Sequence, residues 1–401
     1  MNTTEQRNIT ITAAPGSEGS AIAESRFVST DLGIFLMVNS FETGGTERQF
    51  VEIARSLRST GFCVHLGCLQ QKGTFLDQAG EVTCYPARGS LYSLQSFRSR
   101  YRLAKHLHRS KIDIAHGFDF YANLILIPAA KLARTPIVIG SQRQVGDLLT
   151  AAKFRAQLAA FRLCDAVVCN SQAAAGRLLE AGFAASKLVV IGNALPNEAF
   201  ASTPPAFSRS RGVLRVGMIA RMNATYKNHR VFLRAAARLA RKYTNLEFLL
   251  VGDGELRPEL QAEAERLQIQ NFVRFLGDRR DIPAVLASMD VSVVPSASES
   301  LSNVMLESMA ARVPVVATRV GGNVELADQQ RAQLVRPDDD EALSGALDHL
   351  LANEALRSEM AEKSRQFVEA NFNSDRILLQ YAQLYSELTA RKTRLPTDRG
   401  R

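Results

Sequence analysis

Glu299 and Glu307 stand eight residues apart in Ser298-Glu299-Ser300-Leu301-Ser302-Asn303-Val304-Met305-Leu306-Glu307. The first follows an apolar run that ends at Val294-Pro295, and the second lies in a segment that reads as helix. A strand, a short Ser-rich loop and a helix opening near Asn303 leave unpaired backbone N–H groups at the loop, where anions bind well. One carboxylate is then expected at the mouth of that helix and the other about one turn inside it. Two carboxylates flanking an amide-lined loop can accept hydrogen bonds from the hydroxyls of a sugar nucleotide. Taken alone, the pair fits equally a helix cap and a solvated surface carboxylate.

Two cations follow an earlier apolar run, in Ala220-Arg221-Met222-Asn223-Ala224-Thr225-Tyr226-Lys227. On a strand-to-helix loop they suit a diphosphate, the arginine as a planar fork and the lysine as a point charge. Gly252-Asp253-Gly254 after the next run is a turn that lets backbone pass close to a nucleotide base, and it also fits a plain turn. Near the start of the chain, Gly44-Gly45 opens a helical segment whose N-terminus favours phosphate, with a simple tight turn as the other reading.

Short apolar runs separated by helical stretches position these residues. Gly33 to Val38, Cys63 to Leu66, Ile112 to Ala115, Pro136 to Ile139 and Ala166 to Cys169 form a first series. Leu214 to Ile219, Leu246 to Val251, Val273 to Leu276, Val291 to Val294 and Val313 to Ala317 form a second. Such alternation predicts two parallel, doubly wound sheets. The expected organisation is a disordered leader over 1–30, a first Rossmann-like domain over 31–200, a Ser/Pro-rich linker over 201–212 and a second Rossmann-like domain over 213–374. A final helix over 375–390 and a basic tail over 391–401 follow. Two such domains facing across a cleft bind ligands at the carboxyl ends of their strands, where every motif above lies.

At 401 residues and 46% hydrophobic content the chain is globular. No run approaches the roughly 20 apolar residues that span a bilayer. Five cysteines without a C-x-x-C pair suggest reduced cytosolic thiols rather than a disulfide framework or a zinc site, and a cytoplasmic location. A net charge of +9 is unevenly spread, since Arg98, Arg100, Arg102, Lys105, Arg109 and Lys111 share one acid-free segment. On a helix, Phe97, Tyr101, Ala104 and Leu107 form an apolar stripe beside the basic one, expected either to pack on the protein's own sheet or to meet anionic lipid through 97–111. No nucleic-acid module is visible.

In order and spacing these motifs resemble glycosyltransferase family 4, the retaining, sugar-nucleotide-dependent enzymes of GT-B fold. The resemblance runs from Leu32 to about Leu388 and takes in Cys164 to Ser171, Val190 to Asn193 and Ala317-Thr318 as well. It implies a donor site in the second domain and an acceptor site in the first. Arg221, Lys227 and Glu299 are then catalytic, with the cations on the diphosphate and Glu299 on the transferred sugar. Glu307 holds the ribose, and Gly44, Gly45, Gly252, Asp253, Gly254, Ser300, Leu301 and Asn303 complete the donor-binding set. Where many relatives carry His-x-His, this chain has His116-Gly117-Phe118, so His116 and the nearby Asp119 are the expected catalytic residues of the first domain.

Departure of a diphosphate leaves negative charge that fixed cations stabilise, so no metal is expected and Asp338-Asp339-Asp340 reads as a helix start. The expected activity is transfer from a UDP-, GDP- or ADP-sugar to a lipid-linked or polysaccharide acceptor in cell-surface glycan synthesis, peripherally at the inner membrane face. The alternatives are an inert sugar-nucleotide-binding module and a sugar-nucleotide epimerase.

Overall fold

A computed structural model of the chain describes residues 32–42, 44–87, 93–208, 212–328 and 330–394. They form two compact units, one running to Ala194 and resuming at Asp375, the other spanning Leu195–Ser374.

The first unit holds seven strands: β1 (Gly33–Val38), β2 (Cys63–Cys68), β3 (Thr83–Cys84), β4 (Ile114–Gly117), β5 (Ile137–Gln142), β6 (Ala166–Cys169) and β7 (Leu188–Val190). They pair in parallel in the order β3-β2-β1-β4-β5-β6-β7. β1, β4, β5 and β6 are buried along their whole length, which is why they read as unbroken apolar runs. The second unit repeats the plan with β8 (Leu214–Ile219), β9 (Leu246–Val251), β10 (Val273–Gly277), β11 (Val291–Val294), β12 (Val315–Thr318) and β13 (Gln333–Val335), in the order β10-β9-β8-β11-β12-β13. Strand order reverses between β8 and β11, so the loops after these two strands lie side by side. β3, β7 and β13 are only two or three residues long and leave no apolar run to detect.

The last helix, Ser374–Arg394, continues past the 390 expected from sequence, so Arg391 to Arg394 are helical rather than part of a loose tail. Within this extension Lys392 Nζ lies 2.8 Å from the Asp165 carboxylate. Ile377, Tyr381, Leu384, Tyr385 and Leu388 are buried with Phe50, Phe118 and Ile139 in the core of the first unit. At roughly 1.5–3 kcal/mol per buried large apolar side chain, this helix is a structural member of that unit. Residues 201–208 have neither strand nor helix, yet the Phe207 ring lies beneath the guanidinium groups of Arg274 and Arg279. The rest of the expected linker, the leader over 1–30 and the tail beyond 394 lie outside or largely outside the described residues.

The basic helix is Leu94–Arg109, capped by Ser93, whose hydroxyl accepts from Ser96 N. Its inward stripe differs from the expected one: Ser96, Ser99, Leu103, Ala104 and Leu107 are buried, whereas Phe97 and Tyr101 are 58% and 64% exposed. Small serines face inward because the helix packs against Phe120–Ala133, and Ser99 Oγ donates to Pro86 O at 2.5 Å.

Candidate active site

Helix Asn303–Ala310 opens where the sequence places it, and Ser302 rather than Glu299 caps it by accepting from Met305 N at 3.3 Å. Glu299 is thereby left for other work. Its Oε1 accepts from Lys227 Nζ at 2.6 Å and from Ser296 Oγ at 2.8 Å. Lys227 Nζ also lies 5.1 Å from the centroid of the Tyr226 ring. The loops carrying the pair are stitched together by Ala297 N donating to Tyr226 O at 2.7 Å and by Asn228 Nδ2 donating to Pro295 O at 3.0 Å. Asn228 itself sits at φ +60, a left-handed turn that Asn tolerates. Glu307 lies on the second turn of its helix and is only 7% exposed, which excludes a solvated surface role.

Arg221 stands exposed at the turn after β8 and makes no ion pair among the described residues. Gly252-Asp253-Gly254 fixes that turn. Met222 N donates to Asp253 O at 2.8 Å and Leu256 N to Met222 O at 2.7 Å. A Cβ on Gly252 would sit 2.3 Å from Ala220 O, and one on Gly254 would sit 2.5 Å from the Met222 carbonyl carbon. The Asp253 carboxyl is held below the usual range by the Gly254 N–H and then by the Arg257 guanidinium. The sequence reading passes over Gly322, which packs beneath Ser300 and Leu301 so closely that a Cβ would lie 1.9 Å from Ser300 O. Thr318 Oγ1, at the end of β12, donates to Ser296 O at 2.5 Å and supports the same loop from below. The three aspartates are spent locally: Asp338 accepts from Asn228 Nδ2, Asp339 caps Asp340–Ala352, and Asp340 pairs with Arg238 at 2.8 Å.

In the first unit, Gly44 and Gly45 begin the helix Gly45–Ser59. His116 and Asp119 are at the carboxyl end of β4. His116 is wholly buried, with Nδ1 2.9 Å from the Tyr385 hydroxyl and Nε2 2.8 Å from Ser141 Oγ. Burial, helped by the nearby Arg143 cation, lowers its pKa to about 3, so the ring is neutral. Asp119 caps helix Phe120–Ala133, accepting from Tyr121 N and Ala122 N, and from Asn39 N at 2.5 Å. Burial raises its carboxyl above the usual range against the pull of those three amides. Both side chains therefore hold their polar partners at the carboxyl end of β4, where the sequence places them. Phe118, in place of a second histidine, packs 4.7 Å from the His116 ring and 5.2 Å from the Phe50 ring.

Two family models match this chain, Glycosyltransferase Family 4 over residues 43–198 and Glycosyl transferases group 1 over residues 213–353. The lipopolysaccharide core biosynthesis glycosyltransferase LpsE of Rhizobium meliloti (strain 1021) is 31% identical over 355 residues, covering 85% of this chain and 95% of the relative. The chain belongs to glycosyltransferase family 4. As a glycosyltransferase it also resembles the D-inositol 3-phosphate glycosyltransferase of Corynebacterium urealyticum, at 33% identity over 46% of this chain and 45% of that one. Anabaena HepE, solved in complex with UDP-glucose, shares the fold at a TM-score of 0.78 and 21% identity, covering 89% of this chain and 100% of HepE. The GT-B fold expected from the motifs is therefore that of the solved neighbours.

Proposed function

We propose that the enzyme transfers a sugar, with retention of anomeric configuration, from a nucleotide-diphosphate sugar to a lipid-linked or polysaccharide acceptor in cell-surface glycan synthesis. The observation that carries this reading is the 2.6 Å contact of Lys227 Nζ with Glu299 at the switch between β8 and β11. It sets a cation for a departing diphosphate beside a carboxylate for sugar hydroxyls. The names of relatives support the donor and pathway: LpsE is a lipopolysaccharide core enzyme and HepE binds UDP-glucose.

In this reading Arg221 and Lys227 stabilise the charge that develops on the diphosphate as the anomeric bond breaks, in place of a metal ion. Glu299 orients the transferred sugar and Glu307 the ribose, with the backbone of Ser300, Leu301 and Asn303 beside the phosphates. The Gly252-Asp253-Gly254 turn lies along the base, and Gly44 and Gly45 complete the donor-binding set. The leaving phosphate accepts the acceptor's proton, so no dedicated protein base is needed, and His116 and Asp119 are the first unit's part of the catalytic environment. Helix Leu94–Arg109 attaches the enzyme to the inner face of an anionic membrane. The test is incubation with labelled UDP-, GDP- and ADP-sugars and a glycolipid extract, with the anomeric configuration of the product read by NMR. Inversion, or free sugar nucleotide epimerised without an acceptor, would refute this mechanism.

A further inference from the structure

Arg143 directly follows β5 and is 9% exposed. A guanidinium removed from water needs a carboxylate or an equivalent anion, because an uncompensated buried charge is strongly unfavourable. Among the described residues Arg143 makes no ion pair. One arm, Nη2, donates to Asn193 Oδ1 at 2.7 Å, and the other, Nη1, is buried with no hydrogen-bond partner. Near it lie the Phe118 ring at 5.7 Å, the neutral His116, and the Tyr381 hydroxyl, an uncharged group that interacts with the guanidinium but does not neutralise it. Asn170 and Asn193, which follow β6 and β7, converge on the same point, with Asn170 Nδ2 donating to Asn193 Oδ1 at 3.4 Å. Three adjacent strands thus end in a lone cation and two amides.

We propose that Arg143 recognises an anionic group, a phosphate or a carboxylate, carried by the acceptor. This rests on reading the first unit as the acceptor-binding half. The charge is compensated only when acceptor binds, and its weak screening in a buried setting lets it select an anion through Asn193 as well as by direct contact. A neutral acceptor then binds poorly because the cation stays unpaired.

The test uses the full chain carrying R221A and K227A, which removes the cations proposed for the donor diphosphate, and follows melting temperature against inorganic phosphate, glucuronate and glucose. At least one of the two anions is expected to stabilise this protein, and which one does so names the acceptor's group; glucose is expected to do nothing. Adding R143M should weaken the apparent affinity for that anion tenfold or more, while R143K keeps part of the response. Without ligand, R143M should melt no lower than its parent, the opposite of what a purely structural arginine would give. No response to either anion in the parent, an equal response in R143M, or a much lower melting point of R143M in buffer would each overturn the proposal. Because the assay involves no sugar nucleotide, its failure leaves the donor chemistry untouched, whereas a wild-type enzyme that turned over no sugar nucleotide would sink that reading instead.

Discussion

Lys227 Nζ and Glu299 Oε1 lie 2.6 Å apart although 72 positions separate them in sequence. The pair is held by two loops that are hydrogen-bonded to each other, and it is mostly buried, with side chains 23% and 13% exposed. Its value lies in orientation more than in stability, since a partly solvated ion pair contributes on the order of 1 kcal/mol or less. Lys227→Ala or Arg221→Ala should each lower turnover about a hundredfold, the effect of losing roughly 3 kcal/mol of transition-state stabilisation. Melting temperature should move by only a few degrees. Steady-state rates with the best donor, measured beside thermal melts, decide between this and a structural role.

Glu307→Gln should act on binding instead. Its carboxylate is enclosed on the second turn of helix Asn303–Ala310, so the amide keeps the shape and removes the charge. A charged hydrogen bond to a ribose is worth about 1.5–3 kcal/mol, which predicts a roughly tenfold to hundredfold weaker nucleotide affinity. Calorimetric titration with the nucleotide diphosphate measures it, and an unchanged affinity would remove Glu307 from the donor site.

Gly322→Ala should injure the same site without touching a charge. The added methyl meets Ser300 O at 1.9 Å, a backbone atom that cannot swing aside. Overpacking of this kind costs about 1–3 kcal/mol, and relief requires moving the loop between Glu299 and Asn303. Loss of donor binding together with a lower melting temperature is the expected result; normal binding would show that the loop tolerates the shift.

Acid should destabilise the fold through its buried histidines. Burial lowers His116 from 6.5 to about 3 and His229 from 6.5 to about 4. In the unfolded chain both take up a proton near pH 6.5, while the folded chain does so only near those lower values. The unfolded state therefore binds more protons in between, and stability falls as pH falls from 6.5 towards 4, by about 1.4 kcal/mol per histidine per pH unit. Above pH 6.5 neither contributes a slope. Urea unfolding at pH 7.5 and 5.5 should show the loss, and His116→Gln should reduce its slope by about one proton.

Helix Leu94–Arg109 should bind anionic vesicles by two additive terms. Replacing Arg98, Arg102, Lys105 and Arg109 by Gln should abolish the salt-sensitive part, worth about 1 kcal/mol per cation near the surface. Replacing the exposed Phe97 and Tyr101 by Ser should weaken the part that survives high salt. Flotation with neutral and anionic liposomes separates the two, and equal recovery on both would exclude charge from the interaction.

Glu299 and Glu307 are legible in sequence because strand, loop and helix are contiguous there. Val291 to Glu307 carries its own apolar run, its Ser-rich turn and its cap, so local rules place Glu299 and Glu307. The first unit is less legible because distant chain decides it. The partner of His116 is hidden in sequence, because Tyr385 lies 269 positions later. Asp119 looks like a free acid, but an Asp immediately before a helical run is equally a cap, and three amides donate to it. Phe97 and Tyr101 share a face with the wrong neighbours because periodicity finds two stripes on Leu94–Arg109 and cannot say that the serine-bearing one meets Phe120–Ala133. Arg143 leaves only a lone cation after an apolar run, a signal that many solvated residues share.

The core of the first unit is assembled from both ends of the chain, whereas the second unit is continuous between Leu195 and Ser374 and closes on itself where Ser374 N donates to Leu195 O at 2.9 Å. On the ribosome this imposes an order. The second unit can finish folding while the first, although synthesised earlier, still waits for Ile377, Tyr381, Leu384, Tyr385 and Leu388 to emerge. Until then the faces of β1, β4 and β5 that receive them are bare apolar surface, a target for chaperones. A message truncated before Asp375 therefore yields a polypeptide with one finished half and one sticky half, fit for proteolysis rather than for partial activity.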